Sequence, residues 1–225
     1  MTTAHLILLR HGRTYSNASR LLDTRPPGAE LTEIGRAQAT EGGLTLAQRP
    51  GRIREIVTSV ALRAQQTAMG VAAAYEQARG LPQGTVPVSV RAGLHEVSVG
   101  EMEMRGDAAA HHAYQQAFYG WLHGDEAARI PGGEGYRDVL GRFKPVLGEI
   151  AESLRAEPEA GDVVVVSHGG AIRTVSTHAA GVDPEKAFAA YLANCQYVEL
   201  NPVGDEGVRD FGHWDVVHWD SLREQ

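Results

Sequence analysis

The sequence has very little cysteine and a shortage of positive charge. Its 225 residues include one cysteine, Cys195, which excludes an intramolecular disulfide and a zinc site built on cysteines. There are 21 Lys and Arg against 28 Asp and Glu, a formal net charge of −7. Because Lys and Arg are not clustered, we expect no nucleic-acid surface. An acidic chain can still hold a locally basic pocket for a small anionic substrate.

Long apolar runs are missing as well. The N-terminal apolar run covers residues 6–9 and ends at Arg10, which is too short for the core of a signal peptide or for a membrane span. We therefore expect no membrane partner and a cytoplasmic location. No internal repeat, low-complexity tract or flexible linker divides the chain, which predicts one domain over 1–225.

Short apolar runs alternate with longer helical patterns, which is typical of an α/β protein. The predicted strands are 5–9, 53–59, 86–90, 162–167, 196–201 and the last strands within 208–218. The predicted helices are 32–48, 61–79, 108–121, a long helix ending near 154, and 169–180. The more polar stretch 101–130 is interpreted as a helical lid insertion. The predicted fold is a three-layer α/β/α sandwich with a mostly parallel central sheet.

Two of the predicted strands end in the same dipeptide, His-Gly. His11 follows the first strand and precedes Gly12, and His168 follows the Val-rich strand and precedes Gly169. Ligands of an open α/β sheet bind at the carboxyl ends of its strands. Glycine lets backbone amides approach an anion closely, and a helix that starts at Gly169 would aim its first N–H groups at the same place. One such histidine is weak evidence, but two together favour a site.

Arginine accompanies both histidines in this pattern. Arg10 adjoins His11, Arg13 follows two residues later, and Arg63 lies just beyond the second predicted strand. The planar fork of Arg donates two parallel hydrogen bonds to phosphoryl oxygens and stays charged. Taken alone, Arg63 is better explained as a solvated helix residue. Beside two strand-end histidines, these arginines indicate a phosphate-binding pocket.

A phosphate ester hydrolase also needs a proton donor and acceptor. Glu96 follows the third predicted strand, so its carboxyl group can reach the same edge of the sheet. A carboxyl group there could protonate the leaving oxygen and then deprotonate water. Glu101 and Glu103 are alternatives, and spacing alone does not separate them from Glu96.

Taken in order, these motifs resemble the histidine phosphatase superfamily, the group that contains phosphoglycerate mutases and many acid phosphatases. The likeness runs over nearly the whole chain. The blocks that carry it are Arg10-His11-Gly12-Arg13-Thr14-Tyr15-Ser16-Asn17, Leu31-Thr32-Glu33-Ile34-Gly35-Arg36-Ala37-Gln38, Ser59-Val60-Ala61-Leu62-Arg63, Leu94-His95-Glu96, Pro131-Gly132-Gly133-Glu134 and Ser167-His168-Gly169.

The resemblance implies a metal-independent phosphomonoester hydrolase without a cofactor, acting on a small phosphorylated substrate. It implies that His11 becomes phosphorylated during turnover and that Glu96 is the general acid and base. The other catalytic residues that it implies are Arg10, Arg63 and His168, and the substrate contacts are Thr14, Asn17 and the N–H of Gly169. The physical expectation agrees, because neighbouring arginines should lower the pKa of His11 and keep its imidazole neutral for attack.

Two other functions remain open from the sequence. Many mutases of the family have Glu where Arg13 stands, and they carry a basic insertion. Here 101–130 contains only two arginines, Arg105 and Arg129, so hydrolysis is favoured over phosphoglycerate mutase-type transfer. A non-catalytic phospho-ligand binding module would usually have lost a residue such as His11 or Glu96, and none of them is lost.

The lid and the chain edges carry the remaining expectations. The adjacent His111 and His112 point to different faces of a helix, so they do not form a metal-binding pair. The aromatic residues of the lid predict an apolar wall that suits a bulky phosphomonoester. An edge strand near 195–201 could pair across a homodimer.

Overall fold

The computed structural model describes residues 4–222, so 1–3 and 223–225 of the predicted domain lie outside the described residues. The strands are β1 (Leu6–Arg10), β2 (Ile53–Ser59), β3 (Val88–Arg91), β4 (Asp162–Ser167), β5 (Tyr197–Asn201), β6 (Val203–Gly204), β7 (Gly207–Val208) and β8 (Asp215–Trp219). A six-stranded central sheet has the order β3-β2-β4-β1-β5-β8, and β6 pairs with β7 in a separate hairpin.

Parallel pairing dominates the side of the sheet that bears the two His-Gly motifs. β1 pairs with β4, β4 with β2, and β2 with β3, all in parallel, whereas β5 and β8 add antiparallel pairs. All six residues of β4 are buried, which is expected for a β-branched strand covered on both faces. These pairings confirm the predicted α/β class with a mostly parallel sheet.

Helices cover both faces of the sheet. They are α1 (Tyr15–Ala18), α2 (Glu33–Ala47), α3 (Leu62–Ala78), α4 (Ala108–Leu122), α5 (Tyr136–Ala156), α6 (Gly169–Ala180) and α7 (Pro184–Ala189). Alternate residues of β1 and β4 point to opposite faces. Ile7 and Val164 pack in the core beneath α2 and α3, and Leu8 and Val165 pack in the core beneath α4, α5 and α6. The predicted helix boundaries match these elements to within a few residues.

The C-terminal part differs from the prediction in two ways. A strand does not continue through 208–218, because the N–H groups of Gly212 and Trp214 both donate to the carbonyl of Ala179 and are unavailable to a sheet. The predicted edge near 195–201 is also wrong, since β5 lies between β1 and β8. The outer strands of the sheet are β3 and β8. Among residues 4–222, no helix is long and apolar enough to cross a membrane.

Candidate active site

The two histidines leave adjacent parallel strands at the same level of the sheet. Arg10 is opposite Ser167 in the β1–β4 register, and the N–H of His11 donates to the Ser167 carbonyl at 2.9 Å. The ring centroids of His11 and His168 are 5.1 Å apart, with 62° between the ring planes. Both side chains are buried. The register of two parallel strands therefore brings residues 157 positions apart in the chain into one site.

The hydrogen bonding of His11 fixes its tautomer. Nδ1 lies 2.7 Å from the carbonyl oxygen of Gly12, and a carbonyl only accepts, so Nδ1 carries the proton and Nε2 carries the lone pair. Burial lowers the pKa of His11 well below its usual value, and the charges of Arg63 and Arg10 lower it further, against the opposing Gly12 bond. His11 is therefore a neutral imidazole with Nε2 available as a nucleophile.

His168 holds Arg63 in place. Nε of Arg63 donates to Nδ1 of His168 at 3.2 Å, which leaves the proton of His168 on Nε2, 2.9 Å from the hydroxyl of Ser59. Burial lowers the pKa of His168 well below its usual value, and Arg63 lowers it further. Both ring nitrogens of His168 are thus engaged by protein groups, and its direct effect is on the position of Arg63.

Two guanidinium groups flank His11. Nη1 of Arg63 lies 3.8 Å from a carboxylate oxygen of Asp23 and, within residues 4–222, has no hydrogen-bond acceptor. Arg10 donates through Nη1 to the Leu192 carbonyl at 2.6 Å and the Tyr191 hydroxyl at 3.0 Å, while its Nε is buried without an acceptor in the same part of the chain. Buried donors without acceptors are costly, which is expected where an anionic ligand supplies the acceptors.

The carboxyl group of Glu96 lies at the N-terminal end of α6. Its two carboxylate oxygens accept hydrogen bonds from the backbone N–H groups of Gly170 at 3.1 Å, Ala171 at 2.8 Å and Val97 at 2.9 Å. Two of these donors belong to the first turn of the helix, where the helix dipole favours negative charge. Gly169, the first residue of α6, lines the cavity at His11.

The predicted substrate contacts occupy different environments. Asn17 lines the cavity at His11, and its Oδ1 accepts from the Thr14 N–H at 3.2 Å and from Nδ2 of Asn194 at 3.5 Å, so its own Nδ2 is available to donate. Gly169 also lines this cavity, against the side chain of Arg10. Thr14 is buried and uses its hydroxyl to cap α1. It does not line the cavity, and its role as a substrate contact stays a prediction.

The alternatives to Glu96 lie elsewhere. The carboxylate of Glu103 accepts hydrogen bonds from the N–H and hydroxyl of Thr24, and Glu101 is exposed. Neither lines the cavity at His11, whereas Glu96 does. Of the three acidic candidates, Glu96 is therefore the one that the fold brings to His11.

The cavity in front of His11 has a volume of about 590 Å³. It extends from Arg10, His11 and Arg63 to an apolar wall formed by α4, by α7 and by the segment between α1 and α2. The residues of that wall include Leu22, Tyr114, Phe118 and Phe188. Tyr114 and Phe118 come from the predicted lid, whereas Tyr119 and Trp121, which the sequence also suggested for this wall, do not line the cavity.

Several residues that line the cavity were not predicted from the sequence, and Asn194 and Tyr191 are the ones that contact His11 and Arg10. Asn194 donates through Nδ2 to the carbonyl of His11 at 2.9 Å, and the Tyr191 hydroxyl accepts from Arg10. Both lie in the irregular segment between α7 and β5, where no periodicity marks a functional residue. Within residues 4–222, no group of three or more His, Cys, Asp or Glu side chains is placed to hold a metal ion.

Comparison with known proteins agrees with this geometry. The family model of the histidine phosphatase superfamily, branch 1, matches residues 6–221. The glucosyl-3-phosphoglycerate phosphatase of Mycolicibacterium vanbaalenii is 29% identical over 98% of this chain and 96% of its own. The probable phosphoglycerate mutase GpmB of Yersinia enterocolitica is 31% identical over 84% of this chain and 81% of its own.

A solved structure gives the same result for the fold. The mycobacterial glucosyl-3-phosphoglycerate phosphatase in complex with VO3 has a TM-score of 0.74 to this chain at 27% sequence identity. The match covers 97% of this chain and 99% of the other. Fold, strand-end histidines and family model agree over nearly the whole length: the chain belongs to the histidine phosphatase superfamily.

Proposed function

We propose that this protein hydrolyses phosphomonoesters through a phosphohistidine on His11. The observation that carries the proposal is the state of His11, a neutral buried imidazole whose Nδ1 is committed to the Gly12 carbonyl. Its Nε2 lone pair is thereby directed to the cavity side, where Nε of Arg10 and Nη1 of Arg63 have no acceptor within residues 4–222. A nucleophile and cationic donors meet there.

In the first step, Nε2 of His11 attacks phosphorus and the bond from phosphorus to the ester oxygen breaks. As the general acid of this step, the carboxyl group of Glu96 gives its proton to the leaving alkoxide. The products of this step are a free alcohol, a phosphohistidine and the Glu96 carboxylate. Arg10 and Arg63 stabilise the charge on the transferred phosphoryl oxygens.

In the second step, water attacks the phosphohistidine. The Glu96 carboxylate takes a proton from this water, the bond from Nε2 to phosphorus breaks, and inorganic phosphate leaves with His11 neutral again. The Gly12 carbonyl supports both steps, because its hydrogen bond to Nδ1 stabilises the positive charge that the ring gains when Nε2 is phosphorylated.

The substrate that we propose is a small molecule with a bulky leaving group. A phosphoryl group fills only the innermost part of a cavity of about 590 Å³. The outer part combines the apolar surfaces of Leu22 and Phe118 with polar groups such as Arg13 and Gln115, which suits an alcohol that has both apolar and hydroxylated surface.

The decisive experiment follows phosphate on the protein. With a 32P-labelled substrate and an acid-free quench, the wild-type protein should carry one alkali-stable, acid-labile phosphoryl group, and His11→Asn should carry none. His213→Asn, at an exposed histidine away from the cavity, is the matched control and should label like the wild type. Equal hydrolysis by wild type and His11→Asn would sink the proposal.

A substrate panel would then identify the leaving group. Glucosyl-3-phosphoglycerate belongs in the panel because one relative is named for it, together with sugar phosphates, nucleotides and 2- and 3-phosphoglycerate. Release of inorganic phosphate distinguishes a hydrolase from the mutase activity for which other relatives are named. A bulky ester should give a higher kcat/KM than 3-phosphoglycerate.

For its setting in the cell, we propose the cytoplasm, where Cys195 stays a thiol. A homodimer that extends the six-stranded sheet would use β3 or β8, because these are its outer strands. Light scattering of the purified protein measures its mass directly.

A further inference from the structure

Glu96 belongs to a segment that lacks regular structure of its own. Residues 94–99, between the turn after β3 and the short 3-10 helix Gly100–Met102, form neither helix nor strand. The backbone groups of such a segment need partners from elsewhere. In this protein, two side chains outside the cavity, Arg142 and Glu134, supply partners for the carbonyl groups of His95 and Glu96 and for the N–H of Ser98.

Arg142, on α5, donates hydrogen bonds to two carbonyl groups of this segment and to that of Gly93, just before it. Its Nη1 donates to the carbonyl oxygens of Gly93 at 2.8 Å and His95 at 2.6 Å, and its Nη2 donates to the carbonyl oxygen of Glu96 at 3.1 Å. Gly93 has a φ of +91°, and a Cβ atom there would lie 2.7 Å from the Arg142 carbonyl oxygen. The segment is thus packed directly against the backbone of α5.

Glu134 completes the arrangement from the other side. Its two oxygens accept from Nε and Nη2 of Arg142, both at 2.9 Å, and one of them also accepts the Ser98 N–H at 2.9 Å. The N–H of Glu134 donates to the Ser98 carbonyl at 3.0 Å. Burial raises the pKa of Glu134, but the hydrogen bond and charge of Arg142 outweigh it and lower the pKa below its usual value. The pair is therefore ionised.

We infer that Arg142 and Glu134 are positioning residues that hold Glu96 at the start of α6, where it can exchange protons with the substrate. The inference rests on the proposed role of Glu96. Neither side chain lines the cavity at His11, so both act through the backbone of 93–98. The fork of Arg142 is required, because its five donors serve Glu134 and three carbonyl groups at once, and a lysine has three donors without a planar fork.

Proton donation gives this inference a specific readout. An alkoxide leaving group needs a proton as it departs, whereas p-nitrophenolate does not. The parameter kcat/KM reports the steps up to phosphoryl transfer to His11 and excludes the later attack of water. The ratio of kcat/KM for p-nitrophenyl phosphate to that for an alkyl phosphate therefore measures how well Glu96 donates its proton.

The expected results are as follows. Arg142→Gln should lower kcat/KM for the alkyl phosphate by about 100-fold and that for p-nitrophenyl phosphate by less than about 5-fold, since general acid catalysis contributes roughly 100-fold or more. Arg142→Lys should recover only part of the kcat/KM for the alkyl phosphate that Arg142→Gln loses. Glu134→Gln keeps the volume of its side chain and should give the same pattern more weakly. Arg137→Gln is the control on α5, because Arg137 is exposed and pairs with Glu126.

A double-mutant cycle separates the two ways in which the inference could fail. In a Glu96→Gln background, adding Arg142→Gln should change the ratio no further, because both substitutions remove the same proton transfer. If Glu96→Gln alone leaves the ratio unchanged, the proposed role of Glu96 is wrong. The inference about Arg142 is overturned if Glu96→Gln changes the ratio but Arg142→Gln does not. That result would be an equal fall in kcat/KM for both substrates, or no fall for either. Circular dichroism and the urea midpoint identify an unfolded variant, in which case Glu134→Gln decides by the same criterion.

Discussion

The Nε–H of Arg63 donates to Nδ1 of His168 at 3.2 Å. Arg is always protonated and has no acceptor, so this contact requires His168 to be neutral and to keep its own proton on Nε2. The Nε2–H of His168 donates to the hydroxyl of Ser59. A chain of three side chains thus fixes the plane of the Arg63 guanidinium before any substrate arrives, which is the preorganisation that stabilises developing charge.

Replacing His168 should therefore weaken phosphoryl binding through Arg63. In His168→Ala, Arg63 loses its acceptor, and we expect kcat/KM to fall by about 100-fold, as for the loss of one preorganised donor. Inhibition by vanadate should weaken in parallel. Ser59→Ala keeps the contact between Arg63 and His168 and removes one hydrogen bond, so its kcat/KM should fall by less than about 10-fold. Losses of the same size in both variants would contradict this role of His168.

The strand-end motifs were readable from the sequence because each is local. Arg10-His11-Gly12 and Ser167-His168-Gly169 combine a buried strand, a histidine and a glycine within a few residues. Parallel pairing then had to bring the two motifs together, since the carboxyl ends of parallel strands share one edge of the sheet. The sheet class and these ligand-facing positions followed from that rule.

Other residues of the site carry no such local signal. Arg142 lies in the middle of a long amphipathic helix, where an arginine is ordinarily solvated, and its function depends on the path of residues 93–98. Asn194 lies in an irregular segment that reaches His11 only through the tertiary fold. Contacts between distant segments decide both cases. Thr14 shows the reverse case, because the resemblance implied a ligand contact there, while the structure uses its hydroxyl to cap α1.

The charge of Arg63 should be measurable in the titration of His11. Burial is the largest cause of the lowered pKa of His11, and Arg63 is the next. Replacing Arg63 with Met removes the charge and keeps most of the apolar volume, so the pKa of His11 should rise part of the way toward its usual value. NMR titration of the ring C–H signals measures the change. Arg13→Met, at a second arginine of the same cavity, should leave the pKa of His11 unchanged.

Acid should destabilise the folded protein through the same histidine. The pKa of His11 is lower in the folded state than in the unfolded chain, so its contribution to stability is present above the unfolded value of about 6.5 and is lost as pH falls. Between about pH 6 and pH 5, one such histidine changes the unfolding free energy by about 1.4 kcal/mol per pH unit. Urea denaturation at several pH values gives the slope of the unfolding free energy against pH, and this slope should be smaller in His11→Gln than in the wild type by about this amount. Equal slopes in the two proteins would rule out a buried neutral His11.

Gly28 offers a test of Arg63 from outside the site. Its φ is +66°, and a Cβ atom added there would lie 2.1 Å from Nη1 of Arg63. Gly84 has a φ of +81°, but a Cβ atom there meets nothing within 4 Å. Alanine at either position carries the strain of a left-handed backbone, about 1–2 kcal/mol, so both variants should lose comparable stability in urea denaturation. Gly28→Ala alone has to displace the guanidinium, and its kcat/KM should fall by about 10-fold or more while Gly84→Ala stays close to the wild type. If both variants kept full activity, the position of Nη1 would have no part in phosphoryl transfer, and Arg63 would serve packing instead.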